Sequence, residues 1–197
     1  MKRFVLPVLA SLVTLASPAW AIHLSDSNGV AVLQGQIVDG DDAVFREFLA
    51  RPRTVPIRVL QLSSPGGRVN AGIGIGRQVR AAKLTTVVDA NWAACDSACT
   101  YIFVAGVRRH YVNGDSVYEG FSGRSGLGFH PAHRKSAAQR HEATLNDRGS
   151  ELARQHYAAM GVPGATQLME KAAFNTLYRP NGQTALTLRI ATSLSPP

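Results

Sequence analysis

Beyond its first 21 residues this chain of 197 has no apolar run long enough to span a bilayer, so the remainder reads as a chain without a membrane span. Cysteine is scarce, with 2 in all. A structural zinc site needs further ligands at fixed spacings, and His130 and His133 supply only an isolated H-x-x-H, so no metal is expected. Basic residues interleaved with aromatics are also missing, which argues against a nucleic-acid partner. Neither a G-x-G-x-x-G fingerprint nor a G-K-[ST] ending occurs, so no nucleotide cofactor is expected. There is no internal repeat and no low-complexity linker, which leaves one domain of ordinary size with a real core.

What is present begins with MKRFVLPVLASLVTLASPAWA. Lys2 and Arg3 give a positive start, residues 4–15 an apolar run, and Ala19 and Ala21 the small residues that a signal peptidase reads. Residues 1–21 are therefore expected to be a signal peptide, with the mature chain starting at Ile22 in the periplasm or outside the cell. Two of the 21 Lys and Arg lie in that stretch, and the 19 that remain against 13 acids leave a mature net charge of +6. Arg134, Lys135, Arg140, Arg148 and Arg154 lie among acids and alanines, so this basicity reads as spread over solvated surface rather than gathered.

The rest alternates strand and helix signals. Residues 29–38 (GVAVLQGQIV) read as a strand, or a bent strand pair around Gly35. Asp39 to Asp42 then turn into a helix carrying Val44, Phe45, Phe48 and Leu49, stopped by Pro52. Residues 57–62 and 84–88 read as further strands, 69–83 as a helix between them, and 97–105 as a buried helix. Short strands are expected at 108–112 and 116–118, one long helix over 132–160 closed by Gly161, and a shorter helix from Pro163. The body would run over 22–178, with 179–197 as a C-terminal tail. Alternation of this kind indicates an α/β domain with a mostly parallel sheet, whose functional loops gather at the carboxyl ends of the strands.

Three segments at such positions carry chemistry. In SSPGGRVNAGIGIG, the Gly66-Gly67 pair between strand and helix leaves backbone N–H groups uncovered, fit for an anion or a developing oxyanion; the plainer reading is an ordinary turn. Gly72, Gly74 and Gly76 inside the following helix each cost about 1 kcal/mol against alanine, so a neighbouring backbone should approach them closely. In CDSACTYIFVAG, Ser97 heads the buried helix, where it either caps that helix or presents its hydroxyl where negative charge is favoured. In LGFHPAH, His130 is held on a turn as a base would be; taken alone it is a structural histidine. Cys95 and Cys99 flank Ser97, and four residues of helix rise about 6 Å, within reach of a disulfide.

Taken in order, the strand, S-P-G-G, the A-G helix, the small-S-A helix head and the later strand-H-P resemble the proteolytic subunit of Clp protease. The likeness is greater still to periplasmic proteins of that superfamily that carry C-x-S-A-C and G-F-H. It runs from about Gly35 to His130 and more weakly to Glu170. The resemblance implies a ClpP/crotonase-like spiral of ββα units, with Ser97 as nucleophile, His130 as base, and the N–H groups of Gly67 and Ala98 as oxyanion hole. It also implies peptide or protein substrates bound as an added strand, no cofactor, and homo-oligomers. The sequence departs from that pattern in a glycine-rich stretch, 119–128, between Ser97 and His130. No aspartate stands where the family keeps its third triad member; Asn175 is the substitute there, and Asp147 a second candidate. The expected activity is that of an exported serine hydrolase acting on peptides. A weakly active or inactive binding protein and a crotonase-type enzyme are its rivals.

Overall fold

The computed structural model describes residues 21–121, 123–135, 143–173 and 175–197. The leader expected over 1–21 therefore falls outside the described residues except for Ala21.

Asn28 and Gly29 both take positive φ, 48° and 80°, the backbone that a two-residue hairpin turn requires. They join β1 (His23–Ser27) to β2 (Val30–Gln34) in antiparallel register, Ser27 facing Val30. From there the sheet is parallel: β2, β3 (Val59–Ser63), β4 (Thr85–Asp89) and β6 (Arg108–Val112) start together, Val30 beside Val59, Val59 beside Thr85 and Thr85 beside Arg108. The five strands lie in the order β1-β2-β3-β4-β6. A second layer pairs β5 (Ala94–Asp96) with β7 (Gly126–Gly128), also parallel, and Ser64 bridges to Cys95. This is a mixed α/β single domain with a mostly parallel sheet, as expected.

The crossovers are α1 (Asp41–Ala50), α2 (Val69–Ala81) and α3 (Ala98–Ala105). Helix α3 is buried at every residue. The glycines of α2 answer to it: a Cβ on Gly72 would stand 2.8 Å from the Ala98 oxygen, and one on Gly76 2.8 Å from the Tyr101 oxygen. A backbone packed this close accounts for two of the three helical glycines; Gly74 instead faces the Asp42 side chain on α1.

Three expectations change. The long helix over 132–160 is instead a strand pair, β8 (His133–Lys135) with β9 (Ala143–Leu145), followed by α4 (Asp147–Ala159), which Gly161 closes at φ 74°. An alanine-rich polar stretch reads as helix locally, whereas pairing across the chain selects strand. Residues 114–116 form a 3-10 turn and 117–118 belong to no strand. After α5 (Gly164–Lys171), residues 179–197 are not a tail. They contain α6 (Gly182–Thr187), bury Arg179, Ala185, Ile190 and Ala191, and lay Ser193 beside His110 of β6.

Candidate active site

Ser97 sits on the sharp turn between β5 and α3 with φ 53° and ψ −120°, outside the regions open to an L-residue without cost. Such a conformation costs on the order of 1–3 kcal/mol and persists only where its surroundings over-determine it. They do so here. The Ser97 N–H donates to the Gly128 oxygen at 2.8 Å, extending the β5–β7 pairing by one bond. The Ser97 carbonyl accepts from the Thr100 N–H at 2.9 Å and the Thr100 hydroxyl at 2.6 Å. Since the Thr100 proton points that way, the buried Tyr157 hydroxyl donates to Thr100 Oγ1 at 2.7 Å. A disulfide joins Cys95 to Cys99 across the turn, with Cα atoms 5.1 Å apart. The Ser97 side chain makes no cap hydrogen bond to α3, so capping does not explain it, and the residue is half-buried.

The glycine pair lies against this turn. Gly66 has φ 83°, and a Cβ there would overlap the Asp96 oxygen and stand 2.8 Å from Ser97 Cβ and 3.0 Å from the Ala98 nitrogen. Gly67, at φ 145°, is bracketed by two bonds to Ile37: the Ile37 N–H donates to Gly66 O at 2.8 Å, and the Arg68 N–H to Ile37 O at 3.0 Å. Between these bonds the Gly67 N–H takes no protein acceptor among the described residues, and neither does the Ala98 N–H. Two uncommitted N–H groups thus stand on abutting loops beside Ser97. Ser64 is buried, and its hydroxyl accepts from the Gly66 N–H at 3.1 Å, which makes it a turn former.

His130 is the second residue after β7, whose Gly128 is paired with Asp96, so it leaves the paired strands at the same end as Ser97. It is buried, with its ring centroid 5.1 Å from that of His133. The preceding Phe129 pairs with Tyr178 and packs on Tyr157 at 6.2 Å between centroids. Asn175 is exposed in the turn after α5, and Asp147 is exposed at the start of α4.

One part of the site escaped sequence reading. Asp96, next to Ser97, accepts both ends of the Arg179 guanidinium, at 2.7 and 3.1 Å. Arg179, 3% exposed, also donates to the Gly123 and Gly126 oxygens at 2.6 and 3.2 Å. It thereby ties the Ser97 turn to the glycine-rich stretch that leads into β7. A lone arginine 82 positions from Ser97 carries no local signal of this role.

No family model matches this chain, and no curated protein does either. Solved structures do. The 1510-N membrane-bound stomatin-specific protease, as a mutant, is 16% identical over 84% of this chain and 78% of its own, with a TM-score of 0.60. Another mutant of that protease, in complex with a substrate peptide, is 15% identical over 84% and 74%, with a TM-score of 0.57. A putative enoyl-CoA hydratase from Streptomyces coelicolor A3(2) is 15% identical over 99% and 72%, with a TM-score of 0.52. At such identities the likeness is one of fold, and the fold is the one shared by ClpP-like proteases and crotonases.

Proposed function

We propose that this chain is an exported serine hydrolase acting on peptides, with Ser97 as nucleophile and His130 as general base. The observation that carries this reading is the Ser97 turn. A serine is held at positive φ between a strand and a buried helix, its hydroxyl excused from capping, beside two N–H groups without acceptors among the described residues. A merely structural serine would not need that backbone. In the proposed reaction neutral His130 takes the Ser97 proton as Oγ attacks a peptide carbonyl. The Gly67 and Ala98 N–H groups then receive the oxyanion of the tetrahedral intermediate. His130 returns its proton to the leaving amine, and water hydrolyses the acyl-enzyme by the same route. The N-terminal stretch supports the export in this reading, and the peptide-bound neighbour supports the peptide substrate.

A second reading, a peptide-binding protein without turnover, draws on the sequence's lack of an aspartate where the resembled family keeps its third triad member and on the exposure of Asn175, the substitute there. A fluorophosphonate probe separates the two. The hydrolase reading expects labelling of the oxidised protein at neutral pH, lost in Ser97→Ala and in His130→Ala while the fold is retained. Labelling that persists in Ser97→Ala would move the chemistry elsewhere, and an unlabelled wild type would favour the binding protein.

A further inference from the structure

Helices α1, α2 and α3 end where strands β3, β4 and β6 begin, and the carbonyls at those ends already have partners. Arg53 donates to the Phe48 and Arg51 oxygens at 2.6 and 2.9 Å, closing α1. Arg80 donates to the Val104 oxygen at 3.3 Å and Arg109 to the Gly106 oxygen at 3.0 Å, closing α3. Helix α2 closes on its own backbone, the Lys83 N–H donating to Arg80 O and the Leu84 N–H to Val79 O, each at 3.1 Å. Four more cations stand at this edge with no such task. Arg51, Arg58, Lys83 and Arg108 are exposed, and among the described residues none makes an ion pair or a side-chain hydrogen bond. Arg51 lies over the Phe48 ring, 5.5 Å from its centroid.

Backbone bonds set these segments side by side. The Arg58 N–H donates to Gly29 O at 2.8 Å, the Thr85 N–H to Arg58 O at 2.9 Å, and the Val107 N–H to Leu84 O at 2.9 Å. Neighbouring strands lie about 5 Å apart, so the backbones of Arg58 and Arg108 are about 10 Å apart, with β4 between them. Segments 27–30, 51–59, 81–85 and 105–108 contain no acid, and the adjoining Asp26 is held by Arg53 at 3.1 Å. The row therefore carries like charges that repel, with no counter-charge of its own. Aliphatic side chains share it: Val55 and Val107 are 48% and 40% exposed, and a groove of about 290 Å³, lined by Leu49, Pro56, Ile57 and Leu84, opens beside Arg51. These segments contain no aromatic residue on which a base could stack.

We propose that this edge is a docking face for a bilayer surface carrying anionic phospholipids. The cations meet headgroup phosphates, while Val55 and Val107 supply apolar contact at the boundary between headgroups and acyl chains. Ser97 follows β5, whose Cys95 bridges to Ser64 just past the carboxyl end of β3, so docking leaves it at the far end of the strands from the lipid. The face makes no use of the Ser97 chemistry and stands whether or not the chain is a hydrolase.

Cosedimentation with vesicles tests the face, using wild type and variants recovered after export with the same N-terminus. Wild type should bind phosphatidylcholine vesicles that contain phosphatidylglycerol far better than vesicles of phosphatidylcholine alone, and binding should fall steeply as salt rises. Each edge cation is expected to contribute about fivefold, so Arg58→Gln/Lys83→Gln/Arg108→Gln should bind roughly a hundredfold more weakly. Arg46→Gln/Arg124→Gln/Arg148→Gln removes as much charge from exposed positions elsewhere and should bind within about twofold of wild type. Val55→Ser/Val107→Ser should weaken vesicle binding by about fivefold. Equal binding to both kinds of vesicle, binding indifferent to salt, or an equal loss in the two triple variants overturns the proposal. So does vesicle binding unmoved by the two serines, which would assign the face to a soluble acidic partner. If the edge triple variant fails to fold, its three single changes, each about fivefold weaker, decide the matter.

Discussion

At the scale of the residue, the strained Ser97 peptide defines what its neighbours must do. The Ser97 carbonyl and the Ala98 N–H belong to one planar unit. The two bonds from Thr100 that hold the carbonyl therefore fix the N–H in the opposite direction, where the proposed reaction needs it. Thr100→Val keeps the shape and removes the hydroxyl bond. It should lower the rate of probe labelling by about tenfold while leaving probe affinity unchanged, with Thr100→Ser close to wild type. The same change leaves the Tyr157 hydroxyl without its acceptor, at about 1–3 kcal/mol of stability, which adding Tyr157→Phe should partly restore. A labelling rate unmoved by Thr100→Val would show that the peptide holds its orientation without this clamp. The C-x-S-A-C string already showed that Ser97 heads a helix between two bridgeable cysteines. It gave no sign that the serine would sit at positive φ, because that conformation is imposed by the β5–β7 pairing and by Gly66 pressing from another loop.

Among the elements, α2 and α3 are joined through glycine. Gly76→Ala gains up to about 1 kcal/mol of helix propensity. It also forces a methyl against the Tyr101 oxygen and the His156 ring, an overpacking cost of about 1–3 kcal/mol. A net loss of stability is expected in chemical denaturation, larger than for Gly74→Ala, which meets only the Asp42 side chain. His156, on α4, is buried with Nε2 2.9 Å from the Tyr101 oxygen. Burial holds its pKa below the ordinary 6.5, the bond to Tyr101 opposes this, and Arg77 and Arg80 reinforce it. The unfolded chain therefore takes up this proton at higher pH than the folded one. The stability tied to His156 is complete above 6.5 and is lost as pH falls from there through the folded pKa. His156→Gln should flatten the fall in melting temperature below pH 6.5; an unchanged slope would assign it to other groups. The helices with a periodic apolar face, α1 and α2, and the parallel strands were legible in sequence. The β8–β9 pair was not, since each strand is only three residues long, too short for a pattern to stand out, and each needs the other to satisfy its backbone.

Across the whole molecule, Arg179 links the last segment of chain to the Ser97 turn. Replacing it by glutamine leaves the Asp96 carboxylate, 13% exposed, without its partner, and should cost about 3–5 kcal/mol. Adding Asp96→Asn should recover much of the loss, because the unpaired charge then disappears. A double variant no more stable than Arg179→Gln alone would place the effect in the bonds to Gly123 and Gly126 instead. Charge is likewise arranged at this scale. Arg51, Arg58, Lys83 and Arg108, all exposed, border the amino ends of the parallel strands, whereas Asp89 and Asp96 close β4 and β5 at their carboxyl ends. Basic residues that read as dispersed along the chain are gathered at one edge by the parallel register.

By itself the sequence determined the α/β alternation, the order of the three motif loops and the cysteine pair flanking Ser97. Each of these is encoded over a few neighbouring residues, in periodicity, turn chemistry or spacing. Tertiary structure decided the Ser97 backbone, the contact of Gly66 with Ala98 and the clamp of Arg179 on Asp96. Those depend on groups between 31 and 83 positions apart, brought together only when strands pair and helices bury their faces, and no local propensity specifies such meetings.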